Sequence, residues 1–318
     1  MIAKFQWQDA RTVEDAIAQL DGQSMVKAGG IDVMDRLKEG LDAPAKLVNI
    51  RTIPGLDQIR EDAAGLHIGP MVTLDQLDRD ETVRANYTAL ADAAGHAATP
   101  HIRNVATIGG NLLQRPRCWY FRNEQFHCLK KGGDRCFAQD GENEYHAIFA
   151  NRVCAIVHPS AVAVALVALG ATLEVTGQRG QRQVPIDQFF VRPDQDVHRE
   201  NTLAADELLT SINVPKPASG SRSAYMKLGE KESFDWPIAE VAVVLGAKPA
   251  VVLGAAAPVP WRASAAERVL AGGPISEDTA RSAAKAALEG ATPLRNNAYK
   301  LPIFETVIRR TILAAAKA

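Results

Sequence analysis

Between Thr107 and Ser160 lie all four cysteines of the chain: Cys118, Cys128, Cys136 and Cys154. Free cysteine ordinarily scatters through cores as a small hydrophobe. Four thiols in one loop-like stretch, and none elsewhere, match the ligand count of an iron–sulfur cluster or a structural zinc site. The gaps hold nine, seven and seventeen residues. They fit neither the short knuckle pairs of structural zinc nor the standard ferredoxin spacings. Arg115, Arg117, Arg122, Lys130, Lys131 and Arg135 surround the thiols, against Glu124 and Asp134. Such cations lower thiol pKa values and offset the negative charge of a thiolate-ligated cluster. The favoured reading is a cluster; disulfides, zinc and four unrelated buried thiols stay open.

A second chemistry is suggested by two glycine pairs. Met25-Val26-Lys27-Ala28 reads as a strand running into Gly29-Gly30, then Ile31-Asp32 and a helix over 33–39. Thr107-Ile108-Gly109-Gly110-Asn111 reads as another exposed glycine loop. Backbone N–H groups at a strand–glycine–helix junction can cradle a phosphate, and two such loops suggest a diphosphate held from two sides. A plain tight turn explains either pair alone. Neither pair is the G-x-G-x-x-G fingerprint or a P-loop.

The elements that would carry these groups are short. Strands are predicted at 5–7, 46–50, 66–68 and 154–158, with a hairpin over 172–176 and 183–186 and a strand over 208–214. Helices are predicted from Thr12, from Thr73, over 87–97 and, capped by Ser160, over 162–169. Pro215–Ser221 is a polar stretch that reads as a domain boundary. Beyond it come strands at 223–228, 241–245 and 250–253, then helices at 261–270, 279–288 and 303–316. Strands followed by helices suggest a small α+β domain.

Composition narrows the function classes. The 318 residues suggest two or three domains. Lys plus Arg is 36 and Asp plus Glu 37, for a net charge of −1, so no charge bias points to nucleic acid or an anionic membrane. The apolar run over 161–171 is too short to span a bilayer. The residues from Met1 to Trp7 lack the features of a signal peptide. The expectation is a cytoplasmic protein, or a periplasmic one co-exported with a signal-bearing partner.

Lys27-Ala28-Gly29-Gly30, Thr107-Ile108-Gly109-Gly110-Asn111, His158-Pro159-Ser160 and Tyr225-Met226-Lys227-Leu228 occur in that order. The chain in this respect resembles the FAD-binding medium subunits of the xanthine oxidase family of molybdenum hydroxylases. The cysteine segment from Arg117 is similar to the subgroup with an additional 4Fe–4S cluster, above all the flavin subunits of aldehyde oxidoreductases. The resemblance implies an α+β fold. A two-subdomain FAD-binding domain would cover 1–216, split at about 55/56 and carrying the cluster insert at about 115–155. A C-terminal α+β domain with a small antiparallel sheet and helices would cover 217–318.

It implies that Lys27, Ala28, Gly29, Gly30, Ile31 and Asp32 follow the FAD diphosphate and ribityl chain. Thr107, Ile108, Gly109, Gly110 and Asn111 would meet it from the other side. His158, Ser160, Leu209 and Lys227 would lie near the cofactor, and the four cysteines would ligate the cluster. Relatives often carry aspartate after the serine where Ala161 stands, so a carboxylate contact is absent there or supplied elsewhere. The implied role is electron transfer from 2Fe–2S clusters of a small subunit, fed by a molybdopterin-binding large subunit, through FAD to an external acceptor. A 4-hydroxybenzoyl-CoA reductase-like or xanthine dehydrogenase-like complex is the alternative within the family. A stand-alone FAD oxidase or a non-catalytic zinc scaffold is the alternative outside it. No acid–base dyad or nucleophilic triad stands out, as befits a protein whose cofactors carry the chemistry.

Overall fold

The structure, a computed structural model, describes residues 2–231 and 234–318; Met1, where the signal-peptide reading starts, lies outside them. The chain opens with β1 (Gln6–Asp9), α1 (Val13–Ala18), β2 (Ser24–Lys27), α2 (Ile31–Lys38) and β3 (Lys46–Asn49). The strands form a parallel sheet in the order β1-β3-β2. Parallel neighbours need crossover connections, and α1 and α2 supply them. Thr12 starts α1 by accepting the Asp15 N–H at 3.1 Å. Gly30 starts α2 at φ 92°, a left-handed conformation that glycine adopts without strain.

The second lobe runs β4 (Ile59–Glu61), β5 (Gly65–Ile68), α3 (Leu74–Arg79), α4 (Glu81–Asn86), α5 (Thr88–Gly95), α6 (Pro100–Arg103), α7 (Ile108–Leu112), α8 (Trp119–Arg122), α9 (Ala161–Ala168), β6 (Thr172–Gly177), β7 (Gly180–Pro185) and β8 (Glu207–Pro215). Its sheet is antiparallel, in the order β4-β5-β8-β6-β7. Leu66, Ile68, Leu173 and Ile212 turn one face inward. All eight residues of α9 are buried, as a helix apolar all round must be. It packs on α5 and on three strands of the last lobe.

The last lobe holds β9 (Arg222–Leu228), β10 (Ala239–Leu245), β11 (Ala250–Gly254), β12 (Trp261–Arg262), α10 (Ser264–Ala271), α11 (Glu277–Ala287) and α12 (Lys300–Lys317). The sheet order is β12-β11-β10-β9, all antiparallel. Phe304, Ile308 and Ile312 of α12 bury against Val241 and Val243. The α+β expectation, with a small antiparallel sheet and helices at the C-terminus, holds.

The helix read over 87–97 forms as α5, starting just after Tyr87, whose buried ring anchors the turn and whose hydroxyl donates to Glu61 at 3.2 Å. Three local expectations differ. Gly109 and Gly110 sit inside α7 rather than in an open loop, because Thr107 caps that turn by accepting the Gly110 N–H at 3.1 Å. Residues 154–158 are extended but join no sheet; Ala155 O accepts from Ala147 and the His158 N–H goes to Ala257 O, both at 2.9 Å. Trp261 pairs in β12, with the helix starting only at Ser264.

The cysteine segment has little regular structure. Its backbone groups find partners in buried polar side chains. Asn143 donates to Ala138 O, Asn151 to Ala147 O and Thr292 O, and Asn297 to the carbonyls of His146 and Ala147. Lys300, fully buried, donates to His146 O at 3.1 Å and Ala255 O at 2.5 Å.

Candidate functional site

A cavity of about 770 Å³ opens where the three lobes meet. Ala28, Gly29, Gly30, Ile31 and Asp32 line it from the first lobe; Thr107, Gly109, Gly110, Asn111 and Leu209 from the second; Lys227 from the third. The glycines serve different ends. A Cβ on Gly29 would stand 2.1 Å from the backbone oxygen of Val105, and one on Gly109 2.8 Å from Pro70 Cβ; these two allow close chain packing. A Cβ on Gly110 would meet only Thr107 Oγ1, at 3.0 Å, so Gly110 leaves free space on the cavity side. Ser160 Oγ donates to Asn111 Oδ1 at 2.6 Å and accepts the Ala163 N–H at 3.1 Å, tying the second glycine turn to the start of α9. Lys227 Nζ donates to His96 O at 2.9 Å.

Four of the residues singled out in the sequence lie outside the cavity wall. Lys27 Nζ stands 5.5 Å from the centre of the Trp7 ring. Ile108 is in the core. Ser160 acts through Asn111. His158 is buried edge-on against Phe190, 4.6 Å between centroids, with Nε2 unpartnered. Burial pushes the His158 pKa down to about 4, with Glu200 opposing.

The cysteine segment is fastened to the first glycine turn by charge. Asp32 takes Arg122 Nη2 at 2.7 Å, Arg117 Nη1 at 2.8 Å and the Arg115 N–H at 3.0 Å. Burial alone would raise its pKa; Arg117, the Arg115 N–H and Arg122 outweigh this and hold it below the usual carboxylate value. Glu200 similarly receives Lys130 at 2.7 Å and Arg115 at 3.0 Å.

The four cysteines line one small buried void, with Tyr120, Phe121, Lys130 and His146 among its other walls. No cysteine is in a disulfide, which removes that reading. Among the described residues, no three His, Cys, Asp or Glu side chains form a group that could hold a metal ion. His146 Nε2 lies 3.2 Å from Cys118 Sγ. Burial pushes the Cys118 thiol up to about 12, while the N–H groups of Phe121 and Tyr120 oppose it. Cys154 keeps its proton against Cys136, lowering the latter to about 6 and raising its own. Arg117 lines the large cavity and Cys118 the small void, so consecutive residues, about 3.8 Å apart at Cα, form a shared wall.

Residues 3–217 match the FAD binding domain in molybdopterin dehydrogenase, and residues 224–315 match the CO dehydrogenase flavoprotein C-terminal domain. This chain belongs to the FAD-binding medium subunits of the molybdenum hydroxylase family. It is 32% identical over 297 residues to the aldehyde oxidoreductase FAD-binding subunit PaoB of Escherichia coli, covering 92% of this chain and 91% of that one. It is 28% identical over 325 residues to the carbon monoxide dehydrogenase medium chain of Hydrogenophaga pseudoflava, covering 98% and 97%. Among solved structures, the carbon monoxide dehydrogenase of that organism superposes with a TM-score of 0.77 at 27% identity, covering 100% of this chain and 99% of the other. These relatives are oxidoreductase subunits.

For a medium subunit the group to be accommodated is FAD, and the cavity suits its chemistry. One wall offers glycine backbone at the uncapped start of α2, suited to phosphate. Leu209, Leu203 and Pro159 offer apolar surface, suited to a flat ring system.

Several groups at these sites carried little sequence signal. Asp32's partners in the cysteine segment are 83–90 residues away in the chain. His146 and Lys300 are single polar residues in unremarkable context. Glu240 was legible in principle: an acid inside the otherwise apolar strand Ala239–Leu245 requires a partner or a purpose.

Proposed function

We propose that this chain is the flavin- and 4Fe–4S-carrying electron-transfer subunit of a molybdenum-dependent aldehyde oxidoreductase or related hydroxylase. Its partners in that reading are a molybdopterin-binding large subunit and a small subunit with 2Fe–2S clusters. The observation that carries it is the shared wall: four cysteines around one buried void, one peptide unit from a cavity suited to FAD. A cubane cluster is ligated at its corners by four thiolates, so its sulfurs need not meet at the single point a zinc ion demands.

In this reading Cys118, Cys128, Cys136 and Cys154 ligate the cluster, and residues 115–155 form the insert that carries it. Gly29–Asp32 and Thr107–Asn111 hold the diphosphate and ribityl chain, with Leu209 and Lys227 beside them. Lys27, Ala28, His158 and Ser160 support those turns. The FAD domain spans 1–216, with subdomains meeting near residue 55, and the C-terminal domain 217–318. Bound FAD supplies the exchange between one-electron and two-electron carriers. The residues of this chain supply the rest. Lys130, Arg117 and Arg122 offset the charge of the thiolates, and the aromatic rings of Tyr120, Phe126 and Phe137 shield them from water. The compartment is either the cytoplasm or, with a signal-bearing partner, the periplasm. The xanthine dehydrogenase-like or 4-hydroxybenzoyl-CoA reductase-like complex remains the second reading of the same site.

The test is iron, sulfide, zinc and flavin content after oxygen-free purification. Four irons and one FAD per chain are expected. Cys128→Ser should lose the iron and keep the FAD. Flavin without iron in the wild-type protein would overturn the cluster, and zinc in its place would revive the scaffold reading of the thiols.

A further inference from the structure

Glu240 is fully buried on β10 and lines the large cavity. Its Oε2 accepts a hydrogen bond from the Tyr225 hydroxyl. Its Oε1 has no partner among the described residues, and an unpaired buried carboxylate oxygen is costly. The strand register places Glu240 opposite Gly254 on one side and Lys227 on the other. A Cβ on Gly254 would stand 2.3 Å from Oε1; the glycine makes room for the carboxyl group. Lys227, which also lines the cavity, gives its Nζ to His96 O rather than to Glu240. The carboxyl group of this cavity-lining residue thus has one oxygen held by Tyr225 and one buried beside Gly254 without a partner among the described residues.

We propose that Glu240 is a proton-holding residue of the flavin cavity, exchanging a proton with FAD as the flavin changes oxidation state. The inference rests on that cavity holding the flavin. Two-electron reduction of FAD with uptake of one proton gives FADH⁻. With electrons arriving from one-electron iron–sulfur donors, the Glu240 O–H bond breaks, an N–H bond forms on the flavin and a carboxylate remains. When the two electrons leave to the acceptor, the N–H bond breaks and the O–H bond re-forms. Tyr225 stabilises the carboxylate between these events. The groups facing Glu240 are Tyr225 and Lys227 on β9 and Lys300 on α12, with Asp92 of α5 acting on Tyr225. Burial raises the Glu240 pKa to about 7, with Tyr225, Lys227 and Lys300 opposing; both protonation states are therefore accessible near neutrality.

The experiment is a spectroelectrochemical titration of the flavin across pH in the purified flavin-loaded protein, with FAD content measured alongside. The wild-type midpoint potential should change slope near pH 7. Glu240→Gln, which keeps the shape beside Gly254, should lose that change with FAD content intact. Tyr225→Phe, which removes the donor to Oε2, should move it to higher pH. Wild-type and Glu240→Gln curves that coincide, at equal FAD content, would overturn the inference. If Glu240→Gln does not fold, an unshifted curve in Tyr225→Phe does the same. Wild-type protein without FAD would sink the cavity assignment itself.

Discussion

Asp32 shows how one side chain can join two parts of a site. It sits two residues after the Gly29-Gly30 turn, and its carboxylate is shared by Arg117 and Arg122 of the cysteine segment. Removing one member of a buried charge cluster strands the others, which costs far more than the pair contributes when intact. Asp32→Ala should therefore destabilise the protein by about 3 kcal/mol. It should also weaken FAD retention, because the turn that lines the cavity loses its tether. Thermal melting and flavin content after gel filtration check both; an unchanged melting temperature would mean that the arginines find water or other carboxylates. The asymmetry of legibility is clearest at this scale. The cysteines and glycine pairs stood out because their chemistry depends on residue type and close spacing. Asp32 read as one more residue of a phosphate turn, since nothing local reveals partners more than eighty residues away.

Individual elements were legible where a local rule decides them. The β6–β7 hairpin follows from alternation around a glycine turn, and α9 from the Ser160 cap and an unbroken apolar run. They were misread where tertiary partners decide. Residues 154–158 have strand composition, but their backbone partners come from loops. The two glycine turns, alike in sequence, differ in what their missing side chains permit. Gly29→Ala must push the backbone at Val105 away from a 2.1 Å clash and should cost about 3 kcal/mol or more. Gly110→Ala meets only a hydroxyl at 3.0 Å within α7. A gain in helix propensity of up to about 1 kcal/mol should leave the stability of its flavin-free form near wild type, while the new methyl group occupies space at the cavity and lowers FAD affinity. Melting of the flavin-free proteins and fluorescence titration with FAD separate the two effects. Equal FAD affinity in Gly110→Ala and wild type would move the cofactor away from that turn.

At the scale of the whole molecule, buried polar groups rather than further strands join the cysteine segment to the last lobe. Lys300 is the main one: from the start of α12 its ammonium group reaches His146 O in that segment and Ala255 O after β11. Burial lowers its pKa to about 7 from 10.5, with Glu240 opposing the shift. Below pH 7 the lysine is protonated whether the chain is folded or not, so it adds no pH dependence there. Between about 7 and 10.5 the unfolded chain holds a proton that the folded one has released, so stability rises with pH through that window. Glu240 acts in a different window: its folded pKa of about 7 exceeds the ordinary 4.5, so stability falls as pH rises between those values. Lys300→Met removes the alkaline contribution and leaves two carbonyls without their donor. Relative to wild type, Lys300→Met should fall further behind as pH rises from 7 to 9, by on the order of 2 kcal/mol. It should be less stable even at pH 7 because of the unpaired carbonyl groups. Urea unfolding of both proteins across that range is the measurement. Parallel curves would mean that Lys300 stays charged throughout, held as an ammonium ion by its carbonyl partners and Glu240.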